Sequence, residues 1–181
     1  MRKLLGDRPG VVNILLVGLV AIHLLAGRRW SLVDVASTMA TQPVGNLLAA
    51  FASVGLLASL TAGFAGVVVI FGLSQESTRF VELRHDGGAP LQRNWVTTVT
   101  TSLAGAFLVL TAVALTLLDS SWAAVWVAEV AVLWNLHGAL RLVWLLKGVM
   151  RVVAAKDREA LTLKPTIDVD ELFMNARAPR K

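Results

Sequence analysis

The sequence has no cysteine, and this absence removes several classes of chemistry at once. Disulfides, thiolate metal sites, cysteine nucleophiles and iron–sulfur clusters all require that residue. Charged residues are also scarce, at 16% of the chain against about a quarter in soluble domains. Because the mean hydropathy is +0.68, the chain has too little polar surface to cover itself in water. We therefore expect lipid to surround much of it.

Motifs of catalysis are missing as well. The chain has no glycine-rich nucleotide loop, no regular spacing of metal ligands and no nucleophile paired with a general base. We therefore expect no enzyme activity, no cofactor and no bound metal. The formal net charge of +5 does not indicate nucleic-acid binding, because the lysines and arginines stand at the borders of apolar segments rather than in one patch.

Four apolar segments are long enough, or nearly so, to cross the roughly 30 Å hydrocarbon core of a bilayer. They cover about residues 10–27, 45–73, 95–118 and 121–148. The first is followed by the basic sequence GRRW rather than by a cleavage site, so we expect a retained helix and not a signal peptide. The sequence predicts an all-α integral membrane protein: a four-helix transmembrane domain over residues 1–149, then a cytoplasmic helical extension and tail over residues 150–181.

The distribution of lysine and arginine predicts the orientation of these helices. Basic residues are concentrated before the first segment, between the second and third, and after the fourth. Both termini are therefore expected in the cytoplasm, with four passes through the inner (plasma) membrane. The composition, rich in alanine, valine and arginine, favours a bacterial source.

The two longer connections carry local signals. Ser31 and Asp34 are spaced like a helix-capping box, which predicts a short helix within residues 30–44 on the outer membrane surface. The sequence RHDGGAP at residues 84–90 predicts a turn in a solvated cytoplasmic connector.

Small residues recur along the second segment at intervals of four. One row contains Gly55, Ser59 and Gly63, and a neighbouring row contains Ala58, Ala62 and Gly66. Helices in lipid associate where small side chains let their backbones approach, so both rows are predicted to pack against other helices. Those helices belong either to the same chain or to another subunit, and the presence of two adjacent rows slightly favours a subunit contact.

The fourth segment combines tryptophans with charges on one side of a helix. At about 100° per residue, its ionisable groups and four of the chain's six tryptophans occupy less than half of the circumference. We define the polar stripe of this segment as Glu129, Trp134, His137, Arg141 and Trp144. The polar stripe is predicted to contact a partner subunit or lipid, or else to line a pore.

Arg141 is the residue of the polar stripe that most needs an explanation. It lies near the middle of the predicted membrane, where an unpaired charge is costly. Glu129 is about 18 Å away along a helix axis, and no other span offers a carboxylate at depth. We therefore expect Arg141 to meet a carboxylate of another subunit, a lipid headgroup or pore water.

Two chemical roles for the histidines fit less well. His23 and His137 could ligate one haem iron, but their predicted depths differ by roughly 10 Å or more. A proton relay through Glu129, His137 and Arg141 lacks the close spacing of a continuous path. Neither haem ligation nor a proton relay is therefore the leading prediction for these residues.

The C-terminal region predicts a helix followed by a docking element. The fourth helix is expected to continue into the cytoplasm until Pro165 stops it. Beyond it, Leu172, Phe173 and Met174 form an apolar cluster that is too small to fold alone. We expect this cluster to dock on a cytoplasmic partner or on the membrane surface, with a frayed tail as the alternative.

These features favour a non-catalytic integral membrane subunit or adaptor of a larger inner-membrane complex. Its neighbours would be membrane lipids and either other subunits or further copies of the chain. The alternative is a homo-oligomeric channel, or a transporter of protons or small solutes, whose pore uses Glu129, His137 and Arg141. A phage-type permeabilising protein is a third hypothesis, which the buried charge disfavours.

Overall fold

The computed structural model describes residues 9–30, 34–76 and 78–162 of the chain. All regular secondary structure within these residues is α-helical, which confirms the predicted all-α class for this part of the protein. Five helices follow one another: α1 Pro9–Arg29, α2 Val35–Ala40, α3 Val44–Ser74, α4 Thr78–Leu117 and α5 Ser121–Thr162.

Four of these helices are long and apolar enough to cross a membrane. They are α1, α3, α4 and the portion Ser121–Ala155 of α5, so the predicted number and order of apolar helices are confirmed. The continuation of α5 beyond residue 148 is also confirmed, since the helix runs to Thr162. The predicted stop at Pro165 and the apolar cluster of Leu172, Phe173 and Met174 lie outside the described residues.

The third long helix differs from the prediction. It begins at Thr78 rather than near residue 95, and the predicted turn at residues 84–90 is a kink inside it. Gly88 adopts φ 44° and ψ −144°, a conformation that side chains with a Cβ rarely reach. Pro90 follows, and its missing N–H and fixed φ suit the start of a second helical segment. The first segment escaped prediction because its polar sequence has no long apolar run.

Arg84 shows why residues 84–90 are more than a solvated connector. Its Nη1 atom donates to the backbone oxygens of Gly72 at 2.9 Å and Gln75 at 2.7 Å, at the end of α3. The last carbonyls of a helix have no partner within the helix, so a cation placed there satisfies them and matches the negative end of the helix dipole. This contact ties the start of α4 to the end of α3.

The short helix predicted between the first two long helices is present as α2. Asp34 is its N-cap, and one carboxylate oxygen accepts from the backbone N–H of Ser37 at 3.0 Å. This hydrogen bond is the main cause that lowers the pKa of Asp34 below its ordinary value. Ser31, the first residue of the predicted capping box, lies outside the described residues.

α4 and α5 form the central pair of the bundle, and small residues let them approach closely. A Cβ atom added to Gly105 would lie 2.7 Å from Nδ2 of Asn135, and one added to Gly138 would overlap Oγ of Ser102. α3 packs mainly against α4, whereas α1 and α2 pack mainly against α5. The side chains of α5 therefore face every other helix of the bundle.

The outward faces of the long helices carry large apolar side chains. Ile14 on α1, Leu57 on α3 and Phe107 on α4 are each more than 60% exposed. Many of the buried positions are filled by small residues instead, including Ala58, Ala112 and Ala131. This pattern is typical of helices that pack through small residues and turn large apolar groups toward lipid.

Candidate functional site

A histidine and a glutamate from different helices meet in the first half of α5. The Nδ1 atom of His23, on α1, lies 2.7 Å from Oε1 of Glu129, on α5. Their side chains are 30% and 28% exposed. The ring of His23 also meets the ring of Trp126 edge-on, with centroids 5.2 Å apart. The imidazole is therefore positioned between a carboxylate and an indole.

A cavity of about 310 Å³ lies beside the His23–Glu129 pair. α1, α2, α3 and α5 all contribute to its wall, which is apolar apart from the histidine and the glutamate. The larger apolar side chains of this wall are Val35 and Met39 of α2, Phe51 and Val54 of α3, and Val125 and Val132 of α5.

Two further charges lie near this cavity. Asp34, at the start of α2, interacts electrostatically with His23. Arg28, near the end of α1, places its guanidinium carbon 5.8 Å from the centroid of the Trp122 ring, a cation–π contact. Glu129, Asp34 and Arg28 therefore place charges near His23 or the start of α5.

Farther along α5, polar side chains join three helices. Nδ2 of Asn13, on α1, donates to Oγ1 of Thr101, on α4, at 2.9 Å. Nε1 of Trp134, on α5, donates to the backbone oxygen of Asn13 at 3.3 Å. Within α5, Nδ2 of Asn135 donates to the backbone oxygen of Ala131, one turn earlier. The side-chain oxygens of Asn13 and Asn135 are buried without a hydrogen-bond partner among the described residues.

His137 and Arg141 follow on the same side of α5. Arg141 is 9% exposed, and both of its terminal guanidinium nitrogens are buried without a hydrogen-bond partner in the described part of the chain. Nε2 of His137 is also buried without a hydrogen-bond partner among the described residues. A buried donor without a partner destabilises the fold by about 1–3 kcal/mol, and more when the group is charged. The arrangement thus requires water, an ion or another group at this position.

We call the set of groups from the His23–Glu129 pair to Arg141 the interior polar line. It comprises His23, Glu129, Asn13, Thr101, Trp134, Asn135, His137 and Arg141, and it passes through the inside of the bundle. Glu129 and Arg141 stand about 18 Å apart along the helix axis. Such a separation exceeds any hydrogen bond, so the line is continuous only if water occupies the gaps.

Four of the five residues in the polar stripe belong to the interior polar line. Glu129, Trp134 and His137 are half-buried and Arg141 is buried, whereas Trp144 is 71% exposed. The structure therefore turns Glu129, Trp134, His137 and Arg141 toward the other helices of the chain. It leaves Trp144 on the outer surface.

The pairing of His23 with Glu129 is the contact that sequence reasoning missed. His23 stands near the end of the first apolar segment and Glu129 near the start of the fourth, and the similar depth that this implies was a usable signal. Depth does not give the direction in which each helix turns its side chains, and α1 has no strong polar face to indicate it. His23 was weighed as a haem ligand together with His137, but its polar contact is the carboxylate of Glu129.

The small residues of α3 divide between two environments. Ala58 and Ala62 are buried in the bundle, and Gly55 faces Val109, which would lie 3.2 Å from an added Cβ. Ser59 is exposed and donates to the backbone oxygen of Gly55 in its own helix. Gly63 and Gly66 have no neighbouring atom within 4 Å of an added Cβ. The row that contains Ala58 and Ala62 therefore packs mainly inside the chain. Much of the row that contains Ser59 and Gly63 faces outward.

Metal binding finds no support in the residues that the structure describes, since none of them form a group of three or more histidine, aspartate or glutamate ligands. No protein-family model, no curated protein and no solved structure matches this chain. The function must therefore be argued from the geometry of the interior polar line.

Proposed function

We propose that the chain is a multi-pass protein of a bacterial inner membrane that moves protons or a small solute along its interior polar line without enzyme chemistry. The four long apolar helices and their exposed leucines, isoleucines and phenylalanines support the membrane setting. The distribution of basic residues supports an orientation with both termini in the cytoplasm.

The observation that carries this proposal is the burial of Arg141. Its terminal guanidinium nitrogens are each inaccessible within the single chain, yet no described residue bonds to them. A carboxylate on another subunit would have to enter the bundle to reach them, whereas water or a small anion needs far less space. Ionisable groups at membrane depth that face a bundle interior are typical of ion and proton pathways.

Each part of the interior polar line has a distinct role in this proposal. The His23–Glu129 pair offers a proton donor and a proton acceptor 2.7 Å apart near one end. Asn13, Thr101 and Asn135 supply hydrogen-bonding groups in the middle. Arg141 provides a fixed positive charge at the other end, which sets the ion preference of the line.

The test is proton flux into vesicles that contain the purified protein and an internal pH-sensitive dye. Arg141→Leu removes the fixed charge and should change the flux or its ion preference by about tenfold or more. Lys147→Leu is the matched control, because Lys147 lies on the same helix but is exposed. If wild-type vesicles leak no faster than empty ones under any proton or ion gradient, the transport proposal is wrong.

A second candidate function is that of a non-catalytic subunit or adaptor of a larger membrane complex. The outward position of Ser59 and Gly63 favours it, because open small residues on an apolar helix allow another helix to approach. Gly63→Leu should then release partners or copies of the chain during gentle extraction. Gly18→Leu is the matched control, since Gly18 on α1 is also exposed and has no neighbour within 4 Å.

A further inference from the structure

The cavity beside the His23–Glu129 pair has the size and composition of a ligand site. Its volume of about 310 Å³ is at the lower end of the range for small-molecule pockets, about 300–1,000 Å³. Such pockets are mostly apolar and hold a few polar groups that orient the ligand. Here the polar groups are the two members of the pair, and the rest of the wall comes from alanine, valine, phenylalanine and methionine.

The charges around the cavity favour a cation over an anion. Glu129 forms part of the wall, and Asp34 lies close enough to His23 to interact with it electrostatically. The guanidinium of Arg28 stands over the ring of Trp122 and is not part of the cavity wall. With His23 neutral, the carboxylate of Glu129 leaves a negative charge in the otherwise apolar wall of the cavity.

We propose that this cavity binds a lipophilic monocation: a small ammonium compound with an alkyl or aryl body. The ammonium group would donate to the carboxylate of Glu129, and the body would fill the space between Phe51, Val54 and Val132. This assignment names the solute that is recognised at the His23–Glu129 end of the interior polar line, and it rests on the proposed function for any route beyond that site.

His23 makes this binding dependent on pH. Groups that face its ring include Glu129 and Trp126 on α5 and Asp34 at the start of α2, and Arg28 stands five residues farther along α1. A proton on His23 neutralises the negative charge of Glu129 and competes with the ammonium group. Binding should therefore weaken when His23 takes up a proton, which a series of binding measurements at decreasing pH would detect.

Binding of octylammonium to the protein in lipid nanodiscs tests the proposal directly, with empty nanodiscs subtracted to remove partitioning into lipid. Octanol and octanoate have the same alkyl chain and serve as the neutral and anionic probes. We expect saturable binding of octylammonium at one molecule per chain, and at least about tenfold weaker binding of the other two, the effect of one buried charge pair.

Two variants locate the site, each with a matched control. Glu129→Gln removes the charge and should weaken binding by about tenfold or more, while Glu82→Gln changes an exposed glutamate on α4 and should not. Ala50→Leu fills part of the cavity wall and should also weaken binding, while Ala49→Leu changes an adjacent exposed alanine outside the wall.

Several results would overturn the assignment. These are binding that does not saturate above empty nanodiscs, octanol or octanoate binding as tightly as octylammonium, and equal losses in the variants and their controls. Because the assay measures binding without flux, its outcome is independent of the transport assay. Saturable, Glu129-dependent binding in a protein that conducts nothing would retain the site and reject the pathway.

Discussion

Glu129 and Arg141 lie on one helix, but their surroundings differ. The carboxylate of Glu129 is 2.7 Å from His23 of another helix, stands beside a cavity and keeps 28% of its surface exposed. Arg141 is 9% exposed and its terminal nitrogens have no hydrogen-bond partner among the described residues. The first charge is matched by the fold itself, whereas the second needs a partner that the described residues do not supply.

This difference distinguishes a charge that stabilises the fold from a buried charge that destabilises the fold and is retained for function. A matched pair such as His23–Glu129 contributes to the packing of α1 against α5, and its removal weakens the bundle. An unmatched arginine weakens the bundle by its presence, so a fold that retains it indicates a use for the charge. Substitutions at the two positions should therefore change stability in opposite directions, and the following predictions test that contrast.

The largest effect is expected at Gly138, which sets the distance between α4 and α5 beside Arg141. Leucine at this position would collide with Ser102, and overpacking of such a contact lowers the free energy of unfolding by about 3 kcal/mol. Unfolding by sodium dodecyl sulfate in mixed micelles provides the measurement. Gly148→Leu is the control, since Gly148 lies on the same helix with no neighbour within 4 Å. Equal stability of the two variants would mean that α4 and α5 do not approach here.

Arg141→Leu should raise the free energy of unfolding by about 2 kcal/mol, because it replaces a buried and unmatched charge with an apolar side chain. The same unfolding titration measures it, with Lys147→Leu as the exposed control. A more stable variant that has lost proton flux would show that the flux depends on the charge and not on the integrity of the fold. A large loss of stability would instead reveal a partner for the guanidinium, and the contrast between Arg141 and Glu129 would fail.

Glu129→Leu should lower the free energy of unfolding, and by less than Arg141→Leu raises it. It breaks the contact with His23, and because the pair is partly exposed, the expected loss is about 1 kcal/mol. A double-mutant cycle with His23→Leu isolates the interaction, and we expect a coupling of similar magnitude. A coupling near zero would show that the two side chains are neighbours without stabilising each other.

The sequence was sufficient to predict the four apolar helices because their length and composition depend on local residues alone. It also identified Glu129, His137 and Arg141 as unusual, since charge within an apolar run is visible without a structure. It did not reveal that His23 meets Glu129, because that contact depends on how α1 is rotated against α5. The segment before Gly88 was missed for a different reason: Arg84 is held by the carbonyls at the end of α3, and no local pattern predicts such a contact.

The smallest effect is expected at Asp34, which caps α2 beside the cavity and far from Arg141 in the chain. Asp34→Ala removes the acceptor for the Ser37 N–H and should destabilise α2 by less than the loss expected for Glu129→Leu, because this capping contact is exposed. Hydrogen exchange should then rise at the amides of α2 and remain unchanged around Arg141 on α5.

The pH dependence of the same amides sharpens this last prediction. The pKa of Asp34 is lower in the folded protein, chiefly because of the hydrogen bond from the Ser37 backbone. A carboxyl group with a lowered folded pKa contributes its stability above the unfolded pKa, about 3.9 for aspartate, and loses it as the pH falls through the folded value. Protection of the α2 amides should therefore be constant from neutral pH to about pH 5 and decline below about pH 4. Asp34→Asn keeps an acceptor at the N-cap without the charge, so it should retain protection at neutral pH and lose the acid-dependent decline. If Asp34→Asn and the native chain respond identically to acid, the carboxylate of Asp34 does not couple the stability of α2 to pH.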